Sequence, residues 1–292
     1  MRKETLVLIF CATVYGLNIG LSKFGMNAGL TPNFYTAVRF TLGFLVLLAI
    51  NFRHLKDNFS WKLLYGGILT GLVIGIGNLL NILGLSMTTA AKAAFLASLS
   101  VAMTPVMEWF IRKRKPLVSE IIGLVLSVVG LGLLSLQNDF TISFGDLLEL
   151  LAAFLFSVGF FCTEKYSKAT DSRLLTLVEV GTTVVIGYAV AFATEPLPTI
   201  NMFNTTTILV ICFSGCMSVA LGTSLQFWAQ KTVSSGVAAV IMIIEPIVAA
   251  LLGAALLREL LSMKEFTGIV FMLIGMLVII LGPDMKNKKA QI

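Results

Sequence analysis

Ten long apolar runs, separated by short polar hinges, make up almost all of this 292-residue chain. Charged residues are only 12% of the sequence, against roughly 25% in an ordinary soluble domain. A helix needs about 20 apolar residues to cross the ~30 Å hydrocarbon core of a bilayer, so each run is long enough to cross it once. The sequence therefore predicts an all-α membrane protein with ten transmembrane helices. The runs cover residues 5–25, 33–52, 61–85, 91–111, 118–136, 145–166, 173–193, 206–230, 235–257 and 265–283.

Lysine and arginine are distributed unevenly between the two sets of hinges. Because cytoplasmic loops retain these residues, we assign the richer set to the cytoplasm, which places both termini inside a cell membrane. The net charge of +6 reflects this asymmetry, so the expected partner is the lipid bilayer and not nucleic acid. The oligomeric state is open, and a monomer is compatible with the sequence. The cytoplasmic set is Arg2, Lys3, Arg53, Lys56, Lys62, Arg112, Lys113, Arg114, Lys115, Lys165, Lys168, Arg173, Lys231, Lys286, Lys288 and Lys289, and the external set is Lys23, Lys92, Arg258 and Lys264.

Motifs for catalysis or cofactor binding are absent from the sequence. A zinc site needs clustered Cys and His ligands at fixed spacing, but the four cysteines lie within apolar runs and the single histidine, His54, lies in a hinge. There is no Walker loop, dinucleotide glycine fingerprint or nucleophile elbow. We therefore expect no cofactor, no metal and no ATP-driven step, and an intramembrane enzyme is the weaker alternative.

The chain contains an internal repeat that divides it into residues 1–138 and 139–292. Pro105 and Pro246 mark corresponding helices at a slightly shorter spacing than the rest of the repeat, which indicates a small insertion in one half. Each half holds five spans, and because five is odd, the second half must be inserted upside down relative to the first. Inverted repeats of this kind are the architecture of many secondary transporters, with the substrate site near the midplane. The matching pairs, each 145 residues apart, are Gly77 and Gly222, Asn81 and Gln226, Gly123 and Gly268, and Gly130 and Gly275.

At these positions the chain resembles the EamA-type transporters of the drug/metabolite transporter superfamily, over essentially its whole length. The resemblance implies ten helices, a central cavity, and export or exchange of small metabolites. One departure is Arg114, which stands where an acidic residue would follow the fourth helix. The segments that carry the resemblance are Tyr15–Asn18, Val38–Phe40, Gly84–Phe95 with Pro105, Glu245–Pro246, Leu257–Glu259, and the pair Gly268 and Gly275.

We therefore predict a secondary active transporter that moves a small organic, amino-acid-like metabolite across the cell membrane by alternating access. Export or exchange is expected, and protons are the candidate coupling ion. A drug or organic-cation exporter is the alternative within transport. A scaffold or receptor would need neither an inverted repeat nor charges at mid-membrane depth.

Charged residues inside spans are the first candidates for the site, since a charge in hydrocarbon is costly. Glu245 lies halfway along the ninth run beside Pro246, which removes a backbone donor, so we predict a role in substrate or proton binding. Arg39, Glu179 and Lys92 are candidates for coupling or gating. Their alternatives are structural pairing or reaching toward water, and Glu108 is expected to form an interfacial salt bridge.

Neutral polar and aromatic residues complete the predicted substrate site. Amides both donate and accept hydrogen bonds, which suits neutral or zwitterionic solutes, although they also hold membrane helices together. The repeat match of Asn81 with Gln226 favours a role for that pair in the cavity wall, and glycines at residues 67, 71 and 75 predict close helix contact. The neutral candidates are Asn18, Asn78, Asn81, Ser98 and Gln226, with Phe95 and Phe160 as apolar walls.

Overall fold

The computed structural model describes residues 3–27, 31–55, 60–87, 90–113, 115–135, 143–199, 202–257 and 262–289. Within these ranges the chain is helical without strands, and its ten spans, TM1 to TM10, confirm the predicted fold class. Eight spans are long and apolar enough to cross a membrane, and TM4 and TM5 are shorter apolar helices.

The helix bounds follow the apolar runs closely. The single-helix spans are TM1 (Lys3–Asn27), TM2 (Pro32–Leu55), TM3 (Trp61–Met87), TM5 (Val118–Ser135), TM6 (Phe144–Ala169), TM7 (Ser172–Thr194) and TM10 (Met263–Lys289). The composite spans are TM4 (Ala90–Ser98 and Ser100–Ile111), TM8 (Thr205–Phe213, Ser214–Gly222 and Thr223–Ala229) and TM9 (Ser235–Ile241 and Ile244–Leu257).

The packing of TM5 against TM10 displays the two-fold relation between the repeats. A Cβ atom on Gly123 would lie 2.5 Å from a side-chain atom of Ile279 and 2.6 Å from the carbonyl oxygen of Gly275. A Cβ atom on Gly130 would lie 2.5 Å from the carbonyl oxygen of Gly268. Gly123 corresponds to Gly268 and Gly130 to Gly275 in the repeat, so each of these two contacts is the counterpart of the other. The two helices therefore cross in an antiparallel sense at glycines that permit close backbone approach.

The other helix contacts obey the same exchange of TM1–TM5 with TM6–TM10. TM3 packs against TM6 and TM7, and its counterpart TM8 packs against TM1 and TM2. TM4 contacts TM6, and the corresponding pair, TM9 and TM1, is also in contact. TM2 packs against its own counterpart TM7, and TM4 packs against its own counterpart TM9. The chain is therefore built as two inverted five-helix repeats.

The glycine series on TM3 makes the close contact that its spacing predicts. Cβ atoms on Gly67, Gly71 and Gly75 would lie 2.5 to 2.6 Å from atoms of TM7, including the carbonyl oxygen of Glu179. TM3 therefore lies directly against TM7, which fixes the position of Glu179 in the interior.

Three spans depart from regular α-helix near their middles. TM4 is interrupted at Leu99, TM9 is interrupted at Met242 and Ile243, and TM8 is a π-helix over Ser214–Gly222. The TM9 break lies one turn before Pro246, as expected from the missing backbone donor, whereas the TM4 break lies further from Pro105. Because TM4 and TM9 are counterparts, the two breaks occupy related positions in the two repeats.

Two membrane faces are distinguished by their helix connections. We call the side with the TM2–TM3, TM4–TM5, TM6–TM7 and TM8–TM9 connections the basic face, and the other side the opposite face.

The repeat boundary at residues 138 and 139, together with Thr88, Thr89, Arg114, Arg258 and Glu259, lies outside the described residues, and so does the side chain of Lys92.

Candidate functional site

Glu245 lies near the middle of TM9, immediately after the helix break. Its backbone N–H donates to the carbonyl oxygen of Met242 at 2.9 Å, which partly replaces the hydrogen bond that Pro246 cannot make. The side chain is half-buried, and among the described residues nothing forms a hydrogen bond or ion pair with its carboxyl group. The main chain packs against TM1, because a Cβ atom on Gly16 would lie 2.5 Å from the Glu245 carbonyl oxygen.

Tyr15 on TM1 connects the surroundings of Glu245 with those of Glu179. Its hydroxyl lies within electrostatic range of both carboxyl groups and donates to Gln226 Oε1 at 2.9 Å. Glu179 is 1% exposed, and its Oε2 atom has no hydrogen-bond partner among the described residues. TM1, TM7, TM8 and TM9 therefore direct polar groups into one interior region, and no Lys or Arg of the described residues forms an ion pair with either of its two carboxyl groups.

A buried hydrogen-bonded cluster joins TM1, TM2 and TM8 toward the opposite face. The Ser214 hydroxyl donates to Asn18 Oδ1, and Tyr35 OH lies 2.8 Å from the hydroxyls of both Ser22 and Ser214. Asn18 thus joins helices, which is the alternative role that the sequence left open. Ser214 opens the π-helical segment, a distortion that is frequent at functional sites.

Arg39 lies beside this cluster with its guanidinium group only partly satisfied. Its Nη2 atom donates to Asn78 Oδ1 at 3.2 Å, and its buried Nε atom has no hydrogen-bond partner in the part of the chain that the structure describes. The guanidinium carbon stacks over the rings of Tyr35 and Phe40 at 5.4 and 5.2 Å from their centroids. Two of the predicted residues, Arg39 and Asn78, are therefore in contact.

A chain of polar groups runs from Gln226 toward the basic face. Gln226 Nε2 donates to Gln230 Oε1 at 3.4 Å, and Gln230 Nε2 donates to the Phe160 carbonyl oxygen at 3.3 Å. The Ser235 hydroxyl donates to the same carbonyl at 3.1 Å and to Glu164 Oε2 at 2.5 Å. Phe160 thus contributes its backbone to this chain, while its ring lies in a hydrophobic cluster.

At the basic face, two carboxylates and one arginine join TM4 to TM6 and TM9. Arg112 donates to Glu108 Oε1 at 2.9 Å and to Glu164 Oε1 at 2.6 Å. Glu164 and Glu108 also accept the first backbone N–H groups of TM9, from Ser235 at 2.7 Å and from Gly236 at 2.8 Å. We call these five residues the basic-face latch; the interfacial salt bridge expected of Glu108 is part of it.

Asn81 lies near the opposite face, where it donates to Glu149 Oε2 at 2.8 Å. Glu149 is fully buried and its Oε1 atom has no hydrogen-bond partner. Gln226 lies near the basic face, so the structure places the two matched amides at equivalent ends of their repeats and does not bring them together. Each amide contacts the opposite repeat.

The remaining predicted residues lie on TM4. Phe95 is half-buried and packs against a cluster of TM5, TM9 and TM10 side chains. Ser98 is half-buried at the end of the first TM4 helix, next to the break. Lys92 lies in the first turn of that helix.

Sequence reasoning missed several polar residues that the structure brings to the interior, chiefly Tyr15, Glu149, Ser214 and Gln230. Their common signal is a polar side chain within an apolar run, which the sequence shows but does not rank. Their partners lie far along the chain, 68 residues away for Glu149 and 211 for Tyr15, so the contacts emerge only in the fold.

Comparisons with known proteins agree with this architecture. A family model described as the EamA-like transporter family matches residues 2–136 and 143–281. A curated relative from Archaeoglobus fulgidus, named as an uncharacterized transporter, is 26% identical over 277 residues, which cover 93% of this chain and 84% of the relative. A crystal structure of another protein superposes with a TM-score of 0.78 over 96% of this chain and 98% of the other; at 16% identity this likeness concerns the fold alone. These matches point to a transporter rather than an enzyme. The chain belongs to the EamA-like transporter family and is a multi-pass membrane transporter.

Proposed function

We propose that this protein is a secondary active transporter for a small organic, amino-acid-like metabolite in the cell membrane, which works by alternating access in the direction of export or exchange. The basic face lies in the cytoplasm in this proposal, because Lys and Arg are retained there. The inverted symmetry of the five-helix repeats 1–138 and 139–292 would supply the two access states.

The carboxyl group of Glu245 is the observation that carries the proposal. It is at mid-span, half-buried and free of hydrogen bonds within the described part of the chain. An ionisable group in this position is functional by default, because placing it there without a partner costs free energy. A bound amine, or a proton that is taken up and released, would supply the partner that the described residues do not give to the Glu245 carboxyl group.

The broken helices TM4 and TM9 support a substrate site between the repeats. Discontinuous spans of secondary transporters expose backbone groups to the substrate near the midplane. Among the described residues, the basic-face halves of TM4 and TM9 pack extensively, whereas their opposite halves contact each other little. This packing favours a state in which the latch closes the basic face and the solute has access from the opposite face.

Solute counterflow in liposomes tests the proposal. Purified protein is reconstituted into vesicles that are preloaded with a mixture of the twenty L-amino acids, and uptake of each radiolabelled amino acid is measured. We expect uptake well above that of protein-free vesicles for a subset of them, and loss of proton-driven accumulation in Glu245→Gln. Glu4→Gln, at the start of TM1, is the matched control and should leave uptake unchanged.

The same vesicles test the alternatives. Uptake of organic cations such as tetraphenylphosphonium, without uptake of any amino acid, would replace the proposed substrate class with that of a cation exporter. Absence of counterflow for both classes in folded, correctly inserted protein would contradict the proposal.

A further inference from the structure

Arg39 is a buried cation that none of the described residues neutralises. Its side chain is 8% exposed, and no described carboxylate lies within ion-pair distance of it. Removing a charged group from water without pairing it is strongly unfavourable. A structural arginine at this depth would therefore be expected to have an acidic partner.

The surroundings of Arg39 hold the guanidinium in place without using all of its donors. Asn78 accepts from Nη2, and Asn78 is itself anchored because its Nδ2 atom donates to the carbonyl oxygen of Ile74 at 3.0 Å. Tyr35 and Phe40 fix the orientation of the guanidinium plane by cation–π contact. The Nε–H is buried and has no acceptor among the described residues, so one donor of the planar fork is unsatisfied in this state.

We propose that Arg39 binds the carboxylate of the transported solute. This inference rests on the proposed function and names the chemical group that its substrate must carry. A guanidinium pairs with a carboxylate through two parallel hydrogen bonds, and Arg39 supplies the unpaired donor for one of them. Tyr35, Phe40 and Asn78 are neutral, so the site supplies one positive charge and matches one carboxylate.

Two carboxyl groups in the interior restrict the substrate further. Glu179, on a span that packs against TM2, and Glu245 would repel a solute with two negative charges. They would instead attract an ammonium group. The solute class that satisfies both conditions is a zwitterion with one carboxylate and one amine, which is the pattern of a free α-amino acid.

Thermal unfolding of the protein in nanodiscs tests the proposal, since a ligand that binds the folded state raises its apparent stability. The probes are the twenty L-amino acids, each compared with its methyl ester and with the corresponding decarboxylated amine. We expect some of the acids to stabilise the wild-type protein and their esters to bind about ten- to hundredfold more weakly, which corresponds to loss of hydrogen bonds to a charged group. Arg39→Gln should weaken binding of the acid by the same factor, leave binding of the ester unchanged, and abolish the difference between acid and ester.

Two variants serve as controls. Arg53→Gln removes an exposed arginine from the basic-face end of the same helix and should leave the affinity unchanged. Arg39→Lys keeps the charge but not the fork and should retain part of the preference for the acid. Because the comparison of acid with ester uses the wild-type protein, it holds even where Arg39→Gln fails to fold.

Equal stabilisation by acids and esters, or stabilisation by none of the acids, would overturn the proposal. If the acids show no preference but amines or neutral solutes undergo counterflow, the carboxylate site is rejected and the transporter function stands. The two proposals can therefore fail separately. A double variant, Arg39→Gln with Glu179→Gln, examines whether these two residues pair in another state. If the double variant recovers the stability that either single variant loses, Arg39 forms an ion pair with Glu179. That result would overturn the proposal that Arg39 binds the solute.

Discussion

Among single residues, Glu245 makes the clearest functional prediction. Glu245→Gln keeps the shape and hydrogen-bonding capacity of the side chain but cannot bind and release a proton. If Glu245 couples transport to protons, uptake driven by a pH gradient should fall to the level of empty vesicles, while exchange of solute between the two sides of the vesicle continues. The measurement is labelled-solute flux in liposomes with and without an imposed pH gradient.

The comparison of the two fluxes separates coupling from binding. A carboxylate that binds the amine of the solute would weaken both fluxes when it is replaced. If both fluxes and their pH dependence stay at wild-type values, Glu245 is only a structural partner of the TM9 break, and coupling lies in another group such as Glu179 or Glu149.

Among the candidate site residues, the charged ones were the most readable from the sequence, because charge and depth coincide in them. Arg39, Glu179 and Glu245 were identified because a charge in an apolar run is a local signal. The partner of each polar group was not readable, since Asn81 meets Glu149 on another span and Gln226 meets Tyr15 in the other repeat. Such pairings depend on helix packing, which the order of residues along one span does not encode.

At the level of helices, the basic-face latch controls access from that side. Arg112→Gln removes the donor shared by Glu108 and Glu164, and because the Arg112 side chain is 42% exposed, each of these ion pairs contributes about 0.2–1 kcal/mol. We expect TM4 and TM9 to separate more often. In a cysteine-free background, a cysteine at Thr104, which is fully buried one turn from Glu108, should then react about tenfold faster with a membrane-impermeant maleimide.

The matched control for the latch is Lys165→Gln. Lys165 is exposed, is adjacent to Glu164 in sequence and contacts the Tyr166 ring instead of the latch. Equal labelling rates in wild type, Arg112→Gln and Lys165→Gln would mean that the latch does not limit opening at the basic face.

The break in TM9 makes a second prediction at this scale. Pro246→Ala restores a backbone N–H that can donate to the carbonyl oxygen of Met242, and an internal proline costs a helix about 3 kcal/mol. We expect a higher midpoint of thermal unfolding together with slower transport, because a continuous TM9 would lose the backbone groups exposed at the break.

Pro198→Ala is the corresponding control, since Pro198 lies in the connection between TM7 and TM8. It should change neither transport nor the unfolding midpoint by a comparable amount. A Pro246→Ala protein that is more stable and transports at the wild-type rate would show that the break is not needed for the cycle.

The helices themselves were predicted more completely than their irregularities. Apolar runs and lysine-rich hinges define a span locally, so ten spans and their approximate bounds followed from the sequence. Pro246 gave a signal for the TM9 break. The TM4 break at Leu99 and the π-helix at Ser214–Gly222 gave none, because they depend on contacts with neighbours, such as the close packing of Gly215 against the Arg39 carbonyl oxygen.

For the whole molecule, the orientation in the membrane is still a prediction. Single cysteines at Trp61, exposed at the basic face, and at Leu197, exposed at the opposite face, would report it in intact cells. We expect Leu197→Cys to react with an impermeant maleimide from outside and Trp61→Cys to react only with a permeant one. The reverse pattern would place the basic face outside, while labelling of both from outside would contradict the odd number of spans, TM3 to TM7, between them.

The latch also has a consequence for the energetics of the transport cycle. At the spacing of 145 residues Glu164 corresponds to Ile19, and at the spacing of 141 that relates Pro105 to Pro246 Glu108 corresponds to Ala249. Neither carboxylate of the latch therefore has an acidic counterpart in the other repeat. A symmetric fold with unequal ends has two access conformations of unequal free energy. The conformation that is open at the basic face is the rarer one, because the latch closes that face. Binding from that side must first populate this conformation, so the apparent affinity should be weaker for solute that is offered at the basic face. The solute would then load and unload at different concentrations on the two sides of the membrane.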